Sequence, residues 1–180
     1  MRKAGSWKWI VFAVAGLAAG CGGSDGAGGG DGSVELACPA PVEVRTEMLR
    51  LVNEARAAGG RCGQTEMAPS GPVQWNDALK EAALEHSEDM AHHNFFDHTG
   101  SDGLRVGDRA TAAGYVWRKV GENLAAGSND PGRIVQSWLG SEAHCQVLLD
   151  PDFRDMGVAC VHDAGADHLV YWTQVLGLPR

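Results

Sequence analysis

Three polar side chains sit where they could do chemistry. They are His98 in Phe95-Phe96-Asp97-His98-Thr99-Gly100, Glu122 in Gly121-Glu122-Asn123, and His144 in Ser141-Glu142-Ala143-His144. Two imidazoles and a carboxylate could hold a divalent transition metal such as zinc, with His98 and His144 as ligands and positions left for water. The same three could act as an acid and base pair. They could also hold loops together as a buried polar network, which uses the same residue types. Gly121 lets the backbone beside Glu122 approach its neighbours closely, and Asn123 can bond to backbone where a strand ends. Ser141 and His144 are three residues apart, but no Asp is placed to orient that histidine, so the pair does not read as an activated nucleophile. No H-E-x-x-H occurs to support a metalloprotease helix.

The elements that must position these groups can be read from periodicity. Between Val42 and Ala57, Val44, Met48, Leu51, Val52 and Ala55 recur three and four apart, which predicts a helix with one buried stripe stopped by Gly59-Gly60. Pro69, Gly71 and Pro72 mark the following connection as a loop. Asn76 or Asp77 can cap a second helix whose inner face carries Leu79, Ala82, Ala83, His86, Met90 and His93. His86 therefore points inward and is read as a structural histidine. Gly103 to Ala113 predicts a short helix closed by Gly114, and Lys119 to Leu124 a strand. Asp130-Pro131 starts a further helix with Ile134, Val135 and Trp138 inside, and Gly140-Ser141 breaks it before a last turn from Glu142 to Leu149. Met156 to His162 and Leu169 to Val175 alternate like a hairpin around Asp163-Ala164-Gly165-Ala166-Asp167. Early helices and late antiparallel strands predict an α+β chain.

The 180-residue chain opens with Arg2, Lys3 and Lys8 around an apolar run from Trp9 to Ala19, too short for a membrane span and consistent with a signal peptide over residues 1–20. Leu17-Ala18-Ala19-Gly20-Cys21 resembles a bacterial lipobox, which makes Cys21 the expected lipidated residue. The Gly-rich stretch that follows reads as a flexible linker over residues 21–40, leaving 41–180 as one domain. Removing the three basic residues of the leader takes the 15 Lys and Arg to 12 against 23 acids, a net charge near −11. That balance excludes nucleic acid as a partner. Four of the five cysteines remain (Cys38, Cys62, Cys145, Cys160), with no C-x-x-C pair, so two disulfides are expected among three connectivities.

Six motifs then fall in order: F-x-H-T-G at Phe96 to Gly100, A-A-G-Y at Ala112 to Tyr115, G-E-N-L at Gly121 to Leu124, W-x-x-S-x-x-H at Trp138 to His144, P-x-F-x-x-x-G-V at Pro151 to Val158, and Y-W-T-Q-V at Tyr171 to Val175. From about Thr46 to Gly177 the chain resembles a bacterial member of the CAP superfamily, the SCP-like extracellular domains named for cysteine-rich secretory proteins, antigen 5 and plant pathogenesis-related proteins. The resemblance implies a three-layer α/β/α sandwich with a small, mainly antiparallel central sheet and a central cleft. In eukaryotic members that cleft holds two histidines and two glutamates, and some bind zinc there. His98 matches the first histidine and Glu122 the G-E-N glutamate, while Ser141 and Tyr171 stand at the other two positions and His144 is a local substitute. The ligand cleft implied is thus His98, Glu122, Ser141, His144 and Tyr171. The resemblance also implies Cys62 with Cys145, leaving Cys38 with Cys160.

Function follows as an expectation: a monomeric, exported domain, lipid-anchored to the cell envelope (the outer membrane in a Gram-negative host) or extracellular. It would be a non-enzymatic module binding a lipid, a peptide or an envelope component, or a scaffold. The alternative is a metal-dependent hydrolase with His98 and His144 as ligands and Glu122 as base. An apolar groove walled by Trp117, Tyr115 or Phe95 would favour the binding module.

Overall fold

The computed structural model describes residues 37–180, so the signal peptide, Cys21 and most of the linker lie outside the described residues. Helix α1 (Pro41–Ala58) opens with proline in its first turn, where the missing N–H costs nothing, and buries Val44, Met48 and Val52 at four-residue spacing. One turn further along that stripe, Arg56 is also buried. Its guanidinium donates to the carbonyls of Gly71 (2.9 Å), Leu148 (3.0 Å), Asp150 (2.9 Å) and Phe153 (3.1 Å).

The expected loop after α1 is instead a hairpin of two short strands, β1 (Gly60–Cys62) and β2 (Thr65–Met67), then β3 (Gln74–Trp75). Strands of two or three residues leave no period to read. Helix α2 (Asp77–His92) is capped by the Asn76 side chain, which accepts from the Leu79 N–H at 3.1 Å. His86 is fully buried as expected, but His93 lies past the helix end and its exposed ring pairs with Asp89 at 2.8 Å. The third helix, α3 (Val106–Ala112), is shorter than the Gly103 start predicts. Then come β4 (Trp117–Ala126), α4 (Pro131–Gly140), α5 (Glu142–Leu149), β5 (Asp155–His162) and β6 (Val170–Pro179).

The main sheet has the order β3-β5-β6-β4, antiparallel except for the short parallel pair β3 with β5. Strand β6 is buried from Val170 to Gly177, so both of its faces are covered. Alternation sends Val170, Trp172 and Leu176 towards Met48, Val52, Trp138 and Leu148 of α1, α4 and α5. Val175 packs with Leu79, Ala83 and Ala110 of α2 and α3, and Thr173 accepts a hydrogen bond from Ser87 of α2 at 2.8 Å. This is the three-layer sandwich with a small, mainly antiparallel sheet. Gly157 permits the closeness of α2 to β5, because a Cβ there would fall on the Leu79 and Lys80 backbone.

Disulfides join Cys38 to Cys160 and Cys62 to Cys145. The first, with the hydrogen bond from Asn129 Nδ2 to the Ala37 carbonyl (3.0 Å), ties residues 37–40 to the domain although their composition reads as linker.

Candidate functional site

Strand β4 is an edge strand of the main sheet, and the candidate residues meet along it. Glu122 lies in register with Val175 and turns its carboxylate to the α2 and α3 side, where it is 8% exposed. Asn123 turns the other way, donating to Gln174 Oε1 (3.0 Å) and to the His144 carbonyl (3.2 Å). One strand thus fixes the two walls of the cleft, the α2–α3 loop on one side and the start of α5 on the other.

The α2–α3 loop is held at several points. Asn94 takes a positive φ of 51° to leave the helix, His86 Nε2 donates to the Asp97 carbonyl (2.9 Å), and Asp89 accepts from the Ser101 N–H (2.8 Å) and Oγ (2.6 Å). A carbonyl only accepts, so the buried His86 carries its proton on Nε2, and its Nδ1 has no partner among the described residues. Burial first of all pushes its pKa below the ordinary value.

This frame presents His98 to Glu122. His98 Nδ1 donates to Glu122 Oε1 at 2.8 Å, and Arg109 Nη2 donates to Glu122 Oε2 at 2.7 Å. Arg109 also reaches the carbonyls of Leu104 (2.8 Å) and His98 (3.2 Å), so it clamps both the loop and the carboxylate. A carboxylate accepts only, which places the neutral His98 proton on Nδ1 and leaves Nε2 without a partner among the described residues. The hydrogen bond to Glu122 raises the His98 pKa, against a smaller opposing effect of burial. His144, half-buried in the first turn of α5, has its pKa lowered, first by burial and then by its neighbour His98.

Of the expected cleft residues the structure brings together His98 and Glu122, with His144 across from them. Ser141 is the half-buried residue between α4 and α5 and makes no capping bond. Tyr171 does not line an open cleft: it is fully buried, its hydroxyl 3.5 Å from Asn94 Oδ1, with the His168 ring stacked edge-on between it and Phe96. Of the aromatics expected to wall an apolar groove, Phe95 packs beside Met90 and Tyr171, while Tyr115, its hydroxyl donating to Asp155 at 2.7 Å, and Trp117 line a separate depression with Val116, Arg118 and Arg180, away from the cleft. The exposed aromatic at the cleft is Phe96. From it a groove of about 510 Å³ runs along Leu124, Ala125 and Ala126 to His144.

A resident zinc ion does not fit this donor set. Both oxygens of Glu122 are engaged, one by the Arg109 cation, and among the described residues no three His, Cys, Asp or Glu side chains converge. His98 Nε2 and His144 alone fall short of the three or four protein ligands such a site uses. Arg109 was not among the expected site residues; the signal that could have found it is its place with Val106 and Ala110 at positions i, i+3 and i+4 of one inward helix face.

Residues 49–176 match the family model described as CAP: Cysteine-rich secretory protein family. The chain belongs to the CAP family. The Bacillus subtilis protein YkwD, itself uncharacterised, is 32% identical over 103 residues, which is 57% of this chain and 38% of YkwD. A Bacillus anthracis extracellular protein containing an SCP domain superposes with a TM-score of 0.61 at 26% identity, over 78% of this chain and 41% of that one. The chain therefore spans about two fifths of the length of these two relatives. An outer surface protein of Borrelia burgdorferi shares the fold, with a TM-score of 0.66 at 18% identity over 79% of this chain and 97% of that one. Among the described residues no helix is long and apolar enough to cross a membrane.

Proposed function

We propose that this CAP domain is a non-enzymatic binding module of the cell surface, carried outside the cell on a lipid anchor at Cys21. It works as a monomer that takes an envelope component into the cleft between the α2–α3 loop and α5. The observation that carries this reading is the double engagement of Glu122, by His98 Nδ1 at 2.8 Å and Arg109 Nη2 at 2.7 Å. A carboxylate held this way is a clamp: it fixes an imidazole and presents its free Nε2 as a recognition group. A hydrolase would need Glu122 as a free base, and neither oxygen is free.

The test is calorimetric titration of the purified protein with muropeptides from digested cell wall and with phosphatidylglycerol vesicles. Saturable binding of one of them, weakened about tenfold or more by His98→Ala and by His144→Ala without breakdown of the ligand, supports the reading. Hydrolysis of the ligand or of casein that disappears in those folded variants would sink it.

A further inference from the structure

The groove beside the imidazole pair runs along an open sheet edge. The Gly127 N–H bonds to the Val170 carbonyl on β6 (2.9 Å), whereas the Leu124 carbonyl accepts from the Trp138 indole on the other side (2.9 Å). Strand alternation therefore aims Asn123 and Ala125 at β6 and turns the backbone of Leu124 and Ala126 outward. By that alternation the Leu124 N–H and both backbone groups of Ala126 face away from β6, while the Leu124 carbonyl is already taken by Trp138. Such an edge is a template for another extended strand.

The two walls differ in chemistry. Towards the α2–α3 loop stand Phe96, 45% exposed, and His168, their rings 5.6 Å apart. Towards α4 and α5 stand Arg133, Ser137 and His144. No Asp or Glu lines the groove, in a chain of net charge −8. Arg133 is exposed, and its nearest acid is Asp130 at 3.8 Å, which spends its other oxygen capping α4. Successive residues of an added strand would point to opposite walls, one row to the aromatic side and the next to the cationic side.

We propose that this groove takes an extended peptide that pairs its backbone with the Leu124 N–H and with both backbone groups of Ala126, alternating apolar side chains against Phe96 with acidic ones against Arg133. The site rests on the cleft being a binding site and names the occupant of its apolar arm. Backbone pairing supplies the affinity and the alternating rows supply the selectivity. The cation at the rim makes the association sensitive to salt.

The probe is a fluorescein-labelled (Val-Glu)3 peptide, read by anisotropy with the full-length protein beside (Val-Lys)3. Two further (Val-Glu)3 peptides carry N-methyl groups, one on the valines and one on the glutamates. The expected result is saturable binding of (Val-Glu)3 and at least about tenfold weaker binding of (Val-Lys)3. A similar loss is expected for Arg133→Glu, with no such loss for the exposed control Arg118→Glu. One N-methylated peptide should lose binding while the other keeps it, since only alternate amides face the strand edge. Ala126→Pro removes the outward amide from the protein side, and the N-methylated pair tests the same bonds if that variant does not fold. Equal binding of acidic and basic peptides, equal binding of both N-methylated peptides and the parent, or no binding of (Val-Glu)3 up to millimolar concentration each overturns the proposal. Any of these results, with envelope binding still lost in His98→Ala, removes the peptide and leaves the cleft reading standing. Loss of both removes both.

Discussion

Glu122→Gln is the most informative single change, because the amide keeps the carboxylate's shape while removing its charge and turning one of its two acceptor oxygens into a donor. Both Glu122 and Arg109 are 3% exposed at their side chains, so the wild-type pair is shielded from water and the variant leaves a guanidinium buried without its counter-ion. Breaking a buried pair from one side costs about 3–5 kcal/mol, and we expect about 3, since the amide oxygen can still accept one bond from Arg109. For a domain this size, with a urea slope near 2 kcal/mol/M, the unfolding midpoint should fall by about 1.5 M. The His98 pKa should fall as well, because its bond to the Glu122 carboxylate is the main cause of its elevation. Urea denaturation at pH 7.5 gives the first number and NMR titration of the ring protons the second. Adding Arg109→Met to the variant removes the stranded charge and should recover part of the loss. A midpoint shift below about 0.5 M, or an unmoved His98 pKa, would refute the clamp.

The remaining predictions are simpler. Gly157→Ala should cost about 3 kcal/mol or more by forcing α2 off β5, measured by urea unfolding; a change within 0.5 kcal/mol would contradict the packing. Replacing Cys38 and Cys160 together by serine opens a link spanning 122 residues and should lower the unfolding free energy by about 3–5 kcal/mol under non-reducing conditions. His86, its pKa lowered by burial and influenced by Glu122, Arg109 and Asp89, contributes stability that is complete above about pH 6.5 and lost as pH falls through its folded value. His144 has the same sign, while the raised His98 contributes below about pH 6.5 and loses that contribution as pH rises through its folded value. Melting temperatures between pH 5 and 7.5 should therefore drop more steeply on acidification in the wild type than in His86→Gln, and parallel curves would contradict this.

Much of the fold was legible because its long elements obey a period. The stripe Val44, Met48, Val52 is one helix face in the chain and in the structure, and the two strand-like runs of β5 and β6 do pair as an antiparallel hairpin, although both faces of β6 are covered. The hairpin Gly60–Met67 and the parallel strand Gln74–Trp75 were not, since their existence depends on the partners they find rather than on their own residues. His98 and Glu122 stood out as polar residues at element ends, yet the residue that joins them, Arg109, looks in sequence like any solvated helical arginine unless its inward register is followed. Tyr171 shows the opposite failure: its motif position marks the cleft, and packing under His168 takes it out of reach.

The two walls of the cleft should age differently in acid. The α5 wall is pegged at its far end by Arg56, whose four bonds to the carbonyls of Gly71, Leu148, Asp150 and Phe153 come from a group that keeps its proton at any pH a cell meets. The opposite wall shares its hold between Arg109, which donates to the Leu104 and His98 carbonyls, and His86, whose burial disfavours the charged form. Acid therefore reaches one support of that wall and none of the α5 peg, while Arg109 keeps the His98 backbone in place.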